Sequence, residues 1–202
     1  DGPTLAVAEL TLGLILTLLR QVPHQDRELR SGVWKKRMGN LLHGKNVGIV
    51  GFGKIGQAVA HLLEPFGVNV GYHDPFADVP GYTRLELDDL MGWADVMHCP
   101  KTENGAPLLD LGRLSLMRPG SIILNIARGG LIDEKALLGL LTAGHLAGAA
   151  LDCFTKEPYD GPLKEMDNVI LTPHIGSYAK EARIIMETDT IKNLLDVLFP
   201  GA

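Results

Sequence analysis

Apolar residues along this chain come in short blocks, separated by polar, glycine-rich intervals. The first block, Leu5 to Arg20, is apolar at almost every position and predicts a helix that must be covered on nearly every face. A helix of this kind at a chain start needs a partner, whether another domain, another subunit or both. Residues 21–44 are polar and carry Pro23, Gly32 and Gly39, so they read as a connecting segment with one short helix at most. Trp34 within it either caps a local cluster or meets another subunit, since Trp is enriched in interfaces. Short β-rich runs then alternate with helical patterns. The expected strands are Val47 to Val50, Val68 to Tyr72, Asp95 to His98, Ser121 to Asn125, Ala147 to Leu151 and Val169 to Thr172. The expected helices run from the Gly53 region to Phe66, Leu85 to Met91, Leu108 to Met117, Glu134 to Ala143 and about Ser177 to Leu198. Asp133 is placed to cap the fourth of these, and Gly144 to end it. Six or seven strands alternating with helices predict a single α/β domain with a doubly wound parallel sheet. Ligands bind such sheets at the carboxyl ends of the strands.

The stretch Asn46 to Asp74 sharpens this expectation. After its strand comes Gly51-Phe52-Gly53-Lys54-Ile55-Gly56, a G-x-G-x-x-G sequence that opens a helix. Gly51 permits the tight turn, Gly53 leaves room for a pyrophosphate, and Gly56 lets the helix pack close to the sheet. The free N–H groups at the helix start would face the phosphates. Asp74, just past the second strand, is placed to accept hydrogen bonds from both hydroxyls of an adenosine ribose. A lone glycine motif also makes ordinary turns, but here the strand, the helix and the acid all fall in place. A Rossmann-type site for NAD follows, with NADP disfavoured because its 2′-phosphate would meet Asp74.

Bulk properties remove other classes. The chain of 202 residues has a net charge of −5, which argues against a nucleic-acid surface. Lys35-Lys36-Arg37 reads as a solvated loop. Cys99 and Cys153 are the two cysteines, with neither a disulfide framework nor a C-x-x-C pair, which fits a reducing cytoplasm. Leu10 to Leu19 is too short to span a bilayer and lacks the basic flank of a signal peptide, so a buried helix and no membrane partner are expected.

Three strand-end stretches carry candidate chemistry. Arg128, before Gly129 and Gly130, could clamp a carboxylate bidentately or merely pair with Asp133. Glu157 precedes Pro158 in the stretch starting at Asp152, and could equally be a solvated loop acid. His174, between Pro173 and Ile175-Gly176, suits a general acid–base or a loop hydrogen bond. The remaining histidines read as structural, His98 excepted, since it ends a strand on the cofactor side.

Taken together, these motifs resemble the nucleotide-binding domain of the D-isomer-specific 2-hydroxyacid dehydrogenases, the family of D-3-phosphoglycerate dehydrogenase and glyoxylate/hydroxypyruvate reductase. The matching segments are Val7 to Leu16, Val47 to Ala60, Ile123 to Leu137, Ala149 to Pro158 and Leu171 to Ser177, in family order. The resemblance implies that Arg128 binds the carboxylate and carbonyl of a small 2-oxo acid. It implies that His174 exchanges the proton of the substrate oxygen, that Glu157 pairs with His174 and favours its imidazolium form, and that Asp152 contacts the nicotinamide carboxamide. It places the cofactor, NAD, against Gly51, Gly53, Lys54, Ile55, Gly56, Asp74, Pro100, Thr102, Ala127, Arg128, Asp152, His174 and Gly176. Formate dehydrogenases of this fold have Gln where Glu157 stands, so a 2-hydroxy acid is favoured over formate. A homodimer is implied as well.

The resemblance also implies a second, substrate-binding domain. This chain begins at the crossing into the nucleotide-binding domain, so residues 1–20 and 177–202 are expected to be helices bordering a largely absent substrate domain. A fragment, expressed or proteolysed, is expected rather than a naturally short protein, with weak turnover or none by this chain alone. Two other functions stay open: an NAD(H)-sensing corepressor-like binding protein, which resembles the same family, and an adenosylhomocysteine-type hydrolase. The absence of a DNA-binding motif disfavours the first, and the Arg128, Glu157 and His174 series the second.

Overall fold

The computed structural model describes residues 2–99 and 107–199. It opens with α1 (Gly2–Leu19) and α2 (Val22–Arg30), which lead to β1 (Asn46–Val50), α3 (Lys54–Leu63) and β2 (Asn69–His73). The chain continues with β3 (Thr83–Arg84), α4 (Leu87–Trp93), β4 (Val96–Cys99), α5 (Leu111–Leu116) and β5 (Ile122–Asn125). It closes with α6 (Glu134–Thr142), β6 (Gly148–Leu151), β7 (Val169–Leu171) and α7 (Lys180–Leu198). The strands form one seven-stranded sheet in the order β3-β2-β1-β4-β5-β6-β7, and every pair is parallel. The order reverses between β1 and β4, which is where a doubly wound sheet opens a crevice for a ligand.

The strands explain themselves. A parallel sheet is covered on both faces, so its strands read as continuous apolar runs. All four residues of β5 and all four of β6 are buried. On one face, Val47, Ile49, Val96, Ile122 and Leu124 meet α1 and α3 through Val7, Ile15, Val59 and Leu63. On the other, Val50, Met97, Ile123 and Leu151 meet α4, α5 and α6 through Leu90, Leu114 and Leu137. Asp110 and Asp133 accept backbone N–H bonds at the starts of α5 and α6. Asp110 takes the cap position, so α5 starts three residues later than its apolar pattern alone suggests. The edge strand β3 was not expected: it is two residues long and exposed, with no apolar alternation to mark it.

Helix α1 differs from the expectation in two ways. It starts at Gly2, so the apolar run is 18 residues with a mean hydropathy of 1.7, long and apolar enough by length and composition to cross a membrane. One face nonetheless finds its cover within this domain, where Ala8, Thr11 and Ile15 are fully buried. Helix α7 lies against α1, and only Ala182 of its described residues is buried. Ile191, Leu194 and Val197 of α7 are exposed, as are Trp34 and Met38 of the connecting segment.

Candidate active site at the carboxyl ends of the strands

The glycine loop joins β1 to α3 as its spacing predicts. Gly51 has φ 88°, a left-handed conformation that favours glycine. A Cβ on Gly56 would overlap the Gly51 carbonyl oxygen, so helix and loop approach as only glycine allows. Phe52, between the glycines, is fully buried and stacks on Tyr72 at 4.0 Å between ring centroids. This anchor was not evident from the motif, which marks the position as variable.

Asp74 holds the loop from the other side. Its Oδ2 accepts the Phe52 N–H at 2.7 Å, and its Oδ1 accepts those of Phe76 and Ala77 at 2.8 and 3.0 Å. Burial opposes ionisation of this carboxyl, but the three N–H donors outweigh it and hold its pKa below the ordinary carboxylate value. Thr4, Gly51, Gly53, Lys54, Ile55, Gly56 and Asp74 line a cavity of about 380 Å³. Among the described residues no side chain caps the start of α3, and the space beside Gly53 is open. The residues present therefore suit a dinucleotide: the amides and dipole of a helix start for the pyrophosphate, and a carboxylate for the ribose. Pro100 and Thr102, also expected at the cofactor, lie outside the described residues.

The other expected residues gather across the sheet. Glu157 Oε2 and His174 Nδ1 are 3.0 Å apart, and Glu157 Oε1 accepts the Phe154 N–H at 3.1 Å. The hydrogen bond to His174, then that from Phe154, holds the Glu157 carboxyl below its ordinary pKa, and the Arg128 charge adds to this. Arg128 is exposed after β5, and its guanidinium donates to the Ala127 carbonyl at 2.7 Å. Asp133 instead caps α6, and no carboxylate among the described residues pairs with Arg128. The loops after β5 and β6 touch at Gly129, where a Cβ would overlap the Phe154 carbonyl oxygen. This contact sets Arg128 beside the Glu157 loop.

His174 has φ 55°, uncommon for a residue with a side chain. Asp152 is what holds that conformation. Its carboxylate is fully buried at the end of β6. Oδ1 accepts from the Thr172 hydroxyl at 2.6 Å and the Ile175 N–H at 2.8 Å, and Oδ2 accepts the Gly176 N–H at 2.7 Å. Asp152 therefore builds the loop that carries His174, a role its position in sequence did not reveal. Thr172, also unforeseen, is a partner in that network. His98, one residue before the end of β4, is 1% exposed, and its ring nitrogens have no hydrogen-bond partner among the described residues; burial pushes its pKa down to about 4. A separate cavity of about 290 Å³ opens near Lys45, Asp95 and Asn168, at the amino ends of the strands and away from this chemistry.

A doubly wound sheet with a glycine-rich dinucleotide cradle, and an Arg, a Glu and a His at its carboxyl edge, defines a cofactor domain of the dehydrogenase class. Comparison with known proteins places it within that class. Residues 12–176 match the family model of the D-isomer specific 2-hydroxyacid dehydrogenase NAD binding domain, and the chain belongs to this family. It is 42% identical over 199 residues to D-3-phosphoglycerate dehydrogenase of Mycobacterium tuberculosis (strain ATCC 25618 / H37Rv), covering 94% of this chain and 38% of that protein. The chain thus spans well under half the length of such relatives. A solved protein from Thermus thermophilus superposes with a TM-score of 0.93 at 40% identity, over 98% of this chain and 66% of the other. A glyoxylate reductase from Paecilomyes thermophila superposes with a TM-score of 0.94 at 32% identity, over 100% of this chain and 64% of the other. The family's cofactor is NAD, and the domain is its binding unit.

Proposed function

We propose that this domain serves an NAD-dependent dehydrogenase that interconverts a small 2-oxo acid and its D-2-hydroxy acid. The observation that carries the reading is the 3.0 Å contact between Glu157 and His174 at the sheet edge, with Arg128 beside it. When bound, the nicotinamide supplies or accepts the hydride at the substrate C2. The rest falls to this chain's side chains. Arg128 presents a planar fork that matches a carboxylate and the adjacent carbonyl oxygen. Glu157 engages His174 at Nδ1, which leaves Nε2 as the nitrogen that faces substrate. His174 gives its proton to the carbonyl oxygen as negative charge develops there, and takes it back in the oxidative direction. Arg128 and the imidazolium together stabilise that charge. Asp152 keeps His174 in place by pinning the loop at both sides of it.

Asp74 makes NAD the preferred cofactor over NADP in this reading. The exposed apolar residues of α7 are covered by a substrate domain, and exposed Trp34 and Met38 by a second copy of the chain. The test is NADH oxidation by the full-length protein across glyoxylate, hydroxypyruvate, pyruvate and longer 2-oxo acids. Turnover of at least one is expected, and NADH binding without any turnover would sink the proposal.

A further inference from the structure

A thiol sits beside the acid–base pair. The Cys153 sulfur, a Glu157 carboxylate oxygen and a His174 ring nitrogen all lie within 4.8 Å of one another. The Glu157–His174 pair is already at 3.0 Å. A tetrahedral zinc ion with ligands at about 2.0–2.3 Å holds its donor atoms roughly 3.3–3.6 Å apart. The three donors thus need to close by about 1.5 Å at most. Thiolate and imidazole with one carboxylate form a donor set suited to zinc, whereas magnesium and calcium prefer oxygen alone.

The surrounding charges favour a cation. Asp152 and Glu157 place negative charge beside the buried Cys153 sulfur, and Arg128 places positive charge there. The same two carboxylates that disfavour a bare thiolate attract a metal ion. Glu157 and His174 also line a cavity of about 590 Å³, bounded by Tyr159 and Pro173, which leads in from solvent.

We propose that Cys153, Glu157 and His174 form a three-ligand site for zinc, and that an ion bound there shuts off the acid–base pair. On binding, the thiol releases its proton to water and the sulfur bonds to the metal; no electron changes hands. The Nδ1 lone pair goes to the ion in place of the Glu157 hydrogen bond, so the ring can no longer become imidazolium; Nε2 keeps the single proton of a neutral imidazole, which is a far weaker acid toward the substrate oxygen. The inhibition rests on the acid–base reading of Glu157 and His174, whereas the metal site rests on the geometry of the cluster.

The test uses the full-length protein with two readouts. The first is titration with Co²⁺, followed by thiolate-to-cobalt charge-transfer absorption. A band saturating at one cobalt per chain is expected in the wild type and none in Cys153→Ala. The second is Zn²⁺ inhibition of NADH oxidation. Inhibition is expected to be reversed by EDTA, not reproduced by Mg²⁺, and weaker by about tenfold or more in Cys153→Ala. Absence of the band in protein that still binds NADH overturns the site, and equal Zn²⁺ sensitivity of the two proteins overturns the proposed inhibition. A band without any 2-oxo acid turnover would retain the metal site and count against the dehydrogenase reading instead.

Discussion

Replacing Asp152 by Ala separates two roles for this buried acid. The substitution removes the acceptor for three donors: the Thr172 hydroxyl and the Ile175 and Gly176 amides. A buried donor left without a partner costs about 1–3 kcal/mol. Gly176 is buried and incurs that cost in full, whereas Thr172 and Ile175 are partly open and recover some of theirs from water. The sum is roughly 3–5 kcal/mol for the loop. Asp152→Asn keeps the shape but sets an amide nitrogen against at least one donor, so it should cost about 1–3 kcal/mol. Hydrogen exchange of a peptide spanning residues 170–178 in the full-length protein reads this directly. The Ala variant is expected to lose about 10²–10³-fold of protection there, since about 1.4 kcal/mol is a factor of ten. Turnover should fall with it, because His174 at φ 55° relaxes once its clamp is gone. Unchanged protection with a raised KM for NADH would refute the reasoning and return Asp152 to a direct nicotinamide contact.

Three further outcomes follow from particular residues. His98 is buried with its pKa depressed to about 4, below the unfolded value of about 6.5, so the unfolded chain binds more protons between those values. Stability should therefore be full above about pH 6.5 and fall by up to roughly 3 kcal/mol as pH drops toward 4; the urea midpoint against pH should flatten in His98→Leu, and an equal slope in both proteins would contradict this. Asp74→Ala should lower the NAD-over-NADP preference by about tenfold or more, measured as a ratio of dissociation constants, because it removes both a ribose acceptor and a charge that repels phosphate. Gly129→Ala should lower the melting temperature and turnover together, since its Cβ would overlap the Phe154 carbonyl oxygen; wild-type values in that variant would show that the two loops separate freely.

The fold was largely legible because its signals are local. Alternating apolar runs and helical periods, the glycines at 51, 53 and 56, and the cap at Asp133 each act within a few residues. The edge strand β3 escaped because two exposed residues carry no period. The extent of α1 escaped because Gly2 and Pro3 read as a lead-in to the helix, whereas a first helical turn accommodates proline without losing a hydrogen bond. At the candidate site, Arg128, Glu157 and His174 were identifiable as residue types after strands, and the structure brings them to one edge. What stayed hidden was long-range. Asp152 and Gly176 are 24 positions apart, and nothing near Asp152 announces that it binds the His174 loop. The left-handed backbone at His174 was equally invisible, because histidine does not advertise that conformation as glycine does.

The most direct test compares wild type and His174→Ala of the full-length protein, using whichever 2-oxo acid is turned over fastest. NADH binding is expected to survive, because the glycine loop and Asp74 are untouched, while kcat falls by about 10²–10⁴-fold, the contribution expected of a general acid. A variant that binds NADH and retains near wild-type kcat would contradict the assignment of His174 as the proton donor.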